Sequence, residues 1–269
     1  MDNMTGLYPI DRIDRDRGSE MPFGLVYRVE QCSSQLEFTR TITEPQWVMI
    51  DIDFAERLVR KGHSAATVFP PSISVITTTT IADRKNVRYH LERELEVVKA
   101  FKPKCHIPCD RPVYDSQSKR ERVWMINTYL GEIERFICSN DADGIRLIPL
   151  IKGVERDERE MCYERFRSLG VDYISYYVAQ YFSNHKGNLV HDINEIISES
   201  RFNRVMLIGL QSKARLQKLP PQVIALAGQR WRNVSGFRWR RPDEALERLQ
   251  EWRSETERNM ASGQCVLET

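Results

Sequence analysis

Residues 204–228, RVMLIGLQSKARLQKLPPQVIALAG, decide the fold class. Two short apolar runs, Arg204–Leu210 and Gln222–Gly228, flank a polar stretch that contains a helical segment at Lys213–Leu219. Both runs are apolar at nearly every position, which is typical of parallel strands covered on both faces. A strand, a helix and a second strand in this order predict a right-handed βαβ unit. The stretch therefore indicates an α/β protein with a parallel sheet.

The same alternation continues along most of the chain. Five further strands are predicted, at Trp47–Asp51, Ser72–Thr78, Lys104–Cys109, Ile145–Ile151 and Tyr173–Val178. Amphipathic helical patterns follow them, at Phe54–Gly62, Asn86–Phe101, Lys119–Cys138, Glu158–Leu169, Asn188–Ser200 and Pro242–Asn259. Seven strands and one missed strand would close a (β/α)8 TIM-like barrel, whereas five or six would leave an open doubly wound sheet. A chain of 269 residues suits the barrel, which needs about 250.

The first 45 residues lack this rhythm. Leu25–Cys32 and Leu36–Thr43 are interpreted as two short strands, arranged as a hairpin at the entrance to the main domain. The domain prediction is therefore a short N-terminal β appendage at 1–45 and a (β/α) barrel with a C-terminal helix at 46–269.

Composition narrows the function classes. The net charge of +2 provides no global attraction to nucleic acid or membranes, so any basic surface is local. No apolar run approaches the ~20 residues of a membrane span, and the first twenty residues lack the apolar core of a signal peptide. We expect a cytoplasmic protein with six reduced cysteines. Cys105 and Cys109 form a C-x3-C pair without a second pair, so no metal and no cofactor are expected.

Catalytic residues in α/β folds lie at the carboxyl ends of strands, and several exits here are polar. Asp51 and Asp53 end the first predicted strand, where two carboxylates on one face suit acid–base chemistry; alternatively, Asp53 only caps the next helix. Asp110 follows another strand between two prolines, which hold it rigidly beside Arg111. The pair fits a base edge or a ribose hydroxyl, or forms a structural ion pair.

Three more exits carry candidate ligand contacts. Lys152 and Gly153 place an amine at the barrel mouth. Gln180 lies in an aromatic cluster, Tyr176–Phe182, which fits either a planar ligand or a packed core. Gly209 permits close backbone approach before a helix N-terminus.

Residues 227–242 combine arginines with aromatic side chains. Arginine side chains bind backbone phosphates and aromatic rings stack on bases, so this composition is typical of nucleic-acid binding. Alternatively, the same aromatic side chains pack onto the domain. The candidate nucleic-acid contacts are Arg230, Trp231, Arg232, Arg238, Trp239 and Arg240.

Several short segments occur in an order that a known family shares. They are His106–Asp110 followed by Ser118–Cys138, then Leu147–Gly153, Arg159–Leu169, Gly170–Tyr173, Ile174–Gln180 and Met206–Gln211. From about Asp51 to Leu216 this order resembles the tRNA-guanine transglycosylase family, including relatives that insert 7-deazaguanine bases into DNA. The chain departs from that family where Gln222–Gly228 carries no acid and where the zinc cluster of three cysteines and a histidine is absent.

The resemblance implies a glycosyltransferase that exchanges a guanine-type base for a 7-deazaguanine base in DNA or tRNA. It implies that Asp110 binds the base and that Asp51 or Asp53 acts as nucleophile or base. Lys152 and Gln180 would contact the base edge. Two alternatives stay open, a non-catalytic nucleic-acid-binding subunit and an unrelated barrel hydrolase or lyase on a small polar substrate. A homodimer is compatible with either class.

Overall fold

The computed structural model describes residues 21–82, 88–139, 144–178, 188–210 and 216–265. Eight parallel strands form one sheet: β1 (Gly24–Val29), β2 (Gln46–Asp51), β3 (Ile73–Thr78), β4 (Cys105–Ile107), β5 (Arg146–Leu147), β6 (Ile174–Tyr177), β7 (Val205–Ile208) and β8 (Val223–Gly228). The helices are α1 (Ser33–Arg40), α2 (Ile52–Arg60), α3 (Ala65–Val68), α4 (Leu91–Phe101), α5 (Lys119–Ile137), α6 (Arg156–Ser168), α7 (Leu189–Ser200), α8 (Arg230–Ser235) and α9 (Pro242–Cys265).

The order of the strands makes the sheet a barrel. β1 pairs with both β2 and β8, so the first and last strands are neighbours, and β5 and β6 are left at the two ends of the order. Just beyond β5, Leu150 bridges to Ser175 of β6, and Ser175 N donates to Pro149 O at 2.8 Å. The Tyr129 hydroxyl holds this junction from α5, with Leu150 N 2.7 Å and Leu150 O 2.8 Å away. The predicted (β/α)8 fold is confirmed.

The predicted N-terminal hairpin is wrong. Gly24–Val29 is the missing eighth strand, which lies in the barrel wall, and Ser33–Arg40 is a helix. Leu36 and Phe38 alternate like strand residues, but the buried face of this segment is Gln35, Phe38 and Thr39, at the three- and four-residue steps of a helix. The first β/α unit of the barrel therefore occupies the region predicted to be an appendage.

Capping residues in the sequence determine where some of the other helices begin. Ser118 and Glu121 form a capping box that starts α5, since each side chain accepts from the other's backbone N–H. α2 begins at Ile52, two residues before the predicted start, and this shift changes the geometry of the site. The first three residues of the predicted helix Lys213–Leu219 lie outside the described residues, and the remainder, 216–219, is a short turn.

Candidate active site

A connected set of polar groups follows the carboxyl ends of β1 to β5. We call this set the rim and define it as Arg28, Asp51, Thr78, Thr79, Thr80, Asp110 and Lys152. Residues from five neighbouring strands or strand exits come together because parallel strands end on one face of a barrel. The rim therefore lies at the face of the barrel where catalytic residues are found in this fold.

Arg28 and Asp51 form the first half of the rim. The Arg28 guanidinium donates to Asp51 Oδ1 at 2.8 Å and to Thr80 O at 2.7 Å. Both side chains are mostly buried, with exposed fractions of 16% and 25%. The Arg28 backbone is held in turn, because the Trp231 indole N–H donates to Arg28 O at 3.0 Å. Asp51 thus has a cation held in a fixed position beside its carboxylate.

Three threonines connect the two halves. Thr78 is the register partner of Asp51, and its hydroxyl lies 2.8 Å from that of Thr80. The Thr79 hydroxyl donates to Ile107 O at 3.1 Å and accepts from Asp110 N at 2.8 Å. The threonine run therefore positions the backbone of the second aspartate.

Asp110 and Lys152 form the second half. The Lys152 ammonium contacts Asp110 Oδ1, and it lies 5.8 Å from the centre of the Tyr129 ring. The Lys152–Gly153 turn is fixed, because Gly153 has φ +118° and a Cβ there would lie 2.8 Å from Arg159 N. The buried Glu158 carboxylate accepts from Val154 N at 2.8 Å and secures the same loop.

Behind Asp110 lies a buried network that the sequence analysis missed. His106 Nε2 and Cys109 N donate to one oxygen of Glu94, at 2.8 and 2.9 Å, and His106 Nδ1 lies 2.8 Å from the Thr77 hydroxyl. Glu94 and His106 are fully buried. Burial and the Glu94 carboxylate raise the pKa of the Cys109 thiol well above its ordinary value. Cys109 has φ +54°, so Glu94 holds a left-handed residue directly before Asp110.

The structure corrects the pairing of Asp51 with Asp53. The two carboxylates do not share a strand face, because α2 begins at Ile52 and places Asp53 on the helix. Asp53 instead accepts from Arg57 at 3.1 Å, one helical turn along. Only Asp51 belongs to the rim.

The remaining predicted ligand contacts are dispersed. Arg111 is held by Glu132 of α5 through two hydrogen bonds, one of 2.7 Å from Nε, so the ion pair involves Glu132 rather than Asp110. Gly209 ends β7 with φ +106° and donates to Ala227 O at 2.8 Å. Gln180 lies outside the described residues.

The arginine–aromatic segment divides into a buried and an exposed part. Trp231 is a wrong prediction for nucleic-acid contact, because it is fully buried and stacks on Phe38 and Phe237. Arg232 contacts Glu30 at 2.7 Å. The exposed side chains, which we call the basic patch, are Arg230, Arg238, Trp239 and Arg240. Trp239 is 72% exposed.

The chain was compared with family models, with curated sequences and with solved structures. No family model matches the chain, and no curated protein matches it in sequence. Among solved structures, a provisionally assigned fructose-1,6-biphosphate aldolase from Coccidioides immitis is similar, with 14% identity, a TM-score of 0.49, and coverage of 92% of this chain and 91% of that one. Such a likeness carries no argument about function. None of the helices in the described ranges has the length and apolar character needed to cross a bilayer.

Proposed function

We propose that this protein exchanges a guanine-type base for a 7-deazaguanine base in nucleic acid, at the rim of its barrel. One observation carries the proposal: two aspartates, Asp51 and Asp110, lie on one connected rim, each oriented by its own cation. Base exchange needs two functions, a nucleophile for the anomeric carbon and a group that binds the base and manages its proton. Two separately held carboxylates supply them.

The rim suggests which aspartate has which role. Asp110 has a rigid backbone and lies beside Lys152, an arrangement that suits recognition of the donor and acceptor edge of a purine. Asp51 is the nucleophile candidate, since Arg28 fixes its direction. Its carboxylate would attack the anomeric carbon as the bond to the outgoing base breaks and that base takes a proton. The incoming base would then displace the carboxylate, lose its own proton and restore the enzyme.

The basic patch supports a nucleic-acid substrate. It carries three arginines and an exposed tryptophan on the segment that follows β8. Arginine neutralises backbone phosphates, and an exposed aromatic ring stacks on unpaired bases. A base within a duplex would have to be flipped out, so a single strand or a loop is the favoured substrate.

The test is incorporation of isotope-labelled guanine into tRNA or single-stranded DNA by the purified protein. We expect incorporation by the wild type and by Asp53→Asn, because Asp53 pairs with Arg57 outside the rim. Asp51→Asn and Asp110→Asn should each lower the rate at least 100-fold. Equal rates for all three variants would contradict the assignment of the rim.

A second candidate, a non-catalytic binding subunit of the same fold, is favoured by one observation. β8, Val223–Gly228, has no acidic side chain at the position where the resembling family carries its nucleophile. If this candidate is right, the wild type will bind nucleic acid without incorporating label, and Asp51→Asn will bind equally well.

A further inference from the structure

A groove of about 390 Å³ lies between α1 and α2, outside the rim. Its apolar lining is Leu36, Phe54 and Leu58. Its basic lining is Arg57, Arg60 and Lys61, and none of the described residues that line it is acidic. We call it the α1–α2 groove. We propose that it binds one unpaired nucleotide of the strand whose target base lies at the rim, an inference that rests on the proposed function.

The shape and the chemistry of the groove match one nucleotide. A volume of this size is within the range of small-molecule sites. Leu36, Phe54 and Leu58 offer an apolar surface to a base, while Arg57, Arg60 and Lys61 offer charge to its phosphate. Polar groups of Gln31, Cys32 and Ser33 line the groove at the start of α1.

The α1–α2 groove adjoins the basic patch and lies close along the chain to the rim. Arg238 of the basic patch lies 3.9 Å from the Cys32 sulfur, so the patch reaches the groove wall. On the other side, Gln31 follows β1 by two residues, close along the chain to Arg28 at the rim. A strand that lies on the basic patch therefore reaches the groove wall at Cys32, and the segment that lines the groove leads back along the chain to Arg28 of the rim.

The potential at the α1 end of the groove favours anions. Hydrogen bonds from Ser34 and the α1 backbone, with a smaller contribution from Arg238, lower the pKa of the Cys32 thiol. No acidic residue lies in the first turn of α1 to oppose this field. The surroundings that stabilise a thiolate also stabilise a phosphate.

The neighbouring groove between α2 and α4 is less favourable for an anion, because carboxylates line it. Arg60 and Arg93 both donate to Glu56, and Arg57 donates to Asp53, so the two carboxylates that line this groove balance much of its positive charge. The two grooves share Arg57 and Arg60, so these ion pairs reduce the positive charge of both grooves. The α1–α2 groove differs because its lining adds Lys61 and, among the described residues, contains no carboxylate. We therefore place the nucleotide on the α1 side of α2.

The experiment compares two double variants. Arg57→Gln with Lys61→Gln removes two charges from the groove, and Arg165→Gln with Arg167→Gln removes two from α6. Arg165 is a matched control for Arg57. Arg57 is 46% exposed and its guanidinium lies 3.1 Å from the Asp53 carboxylate, whereas Arg165 is 44% exposed and its guanidinium lies 3.0 Å from the Glu134 carboxylate. Binding of fluorescent 15-mers of dT and of rU is measured by anisotropy between 50 and 300 mM salt.

The groove variant should bind roughly tenfold more weakly at low salt, and its slope of log affinity against log salt should fall by about 0.7, the value for one lost phosphate contact on a single strand. The α6 variant should match the wild type. Bound 15-mer should also slow alkylation of Cys32 but not of Cys138, which is exposed on the α5 side.

Equal binding by the groove variant and the α6 variant, with Cys32 unprotected, would overturn the groove proposal and leave the proposed function standing. Failure of the wild type to bind either 15-mer would overturn both. A loss seen with only one polymer supports the proposal and identifies the sugar of the substrate.

Discussion

Truncation of Glu94 should reveal how strongly the buried network supports the rim. In Glu94→Ala, the N–H groups of His106 and Cys109 lose a shared acceptor inside the core. Each unsatisfied buried donor costs about 1–3 kcal/mol. Because two donors lose their acceptor, we expect the free energy of unfolding to fall by about 2–6 kcal/mol.

Two further variants show whether this loss comes from the network. Glu94→Gln keeps an oxygen for both donors but places an amide N–H at the other Glu94 oxygen, which has no hydrogen-bond partner in the described residues, so it should lose about 1–2 kcal/mol. Glu92→Ala, on the same helix but 61% exposed, should change the free energy of unfolding far less than Glu94→Ala does, because an exposed ion pair contributes little. Urea unfolding at pH 7 measures all three. A loss below about 1 kcal/mol for Glu94→Ala would show that the two donors do not depend on the Glu94 carboxylate.

Further variants test the packing and electrostatics around the site. Trp231→Ala should lose about 3–5 kcal/mol in urea unfolding, whereas Trp239→Ala should stay within about 0.5 kcal/mol of the wild type; the reverse order would contradict the division of the aromatic segment. Although burial opposes it, hydrogen bonds from Tyr89, Arg93 and Arg60 lower the pKa of Glu56 to about 2 from 4.5. The stabilisation by the ionised Glu56 carboxylate is complete above pH 4.5 and is lost as the pH falls toward 2. The free energy of unfolding of the wild type should therefore exceed that of Glu56→Gln by at most about 3 kcal/mol above pH 4.5, and this difference should shrink as the pH falls. A difference that stays constant with pH would contradict the lowered pKa of Glu56. Native alkylation at pH 7, followed by peptide mass spectrometry, should modify Cys32 faster than Cys138, because the pKa of Cys32 is lowered.

The barrel could be predicted from the sequence because its strands are buried on both faces. Val205–Ile208 and Val223–Gly228 are apolar without interruption, and this pattern is specific to covered parallel strands. The first unit could not be read correctly, because Leu36 and Phe38 alternate over a segment too short to separate the two periods.

The sequence predicts only those residues of the candidate site that directly follow a strand. Asp51, Asp110 and Lys152 were found because each follows an apolar run, yet nothing in their spacing shows that Lys152 pairs with Asp110 across 42 residues. Glu94 gave one signal, an acid within the apolar stripe of α4 between Leu91 and Val98. Its partner His106 comes from another element, and contacts of that kind depend on tertiary packing.

The most direct test of base exchange is nucleoside mass spectrometry of DNA and tRNA from cells with and without this protein, supplied with 7-deazaguanine precursors. We expect a new deazapurine nucleoside that disappears with Asp110→Ala and persists with Asp53→Asn. An unchanged set of nucleosides, with folded protein present in the cells, would contradict it.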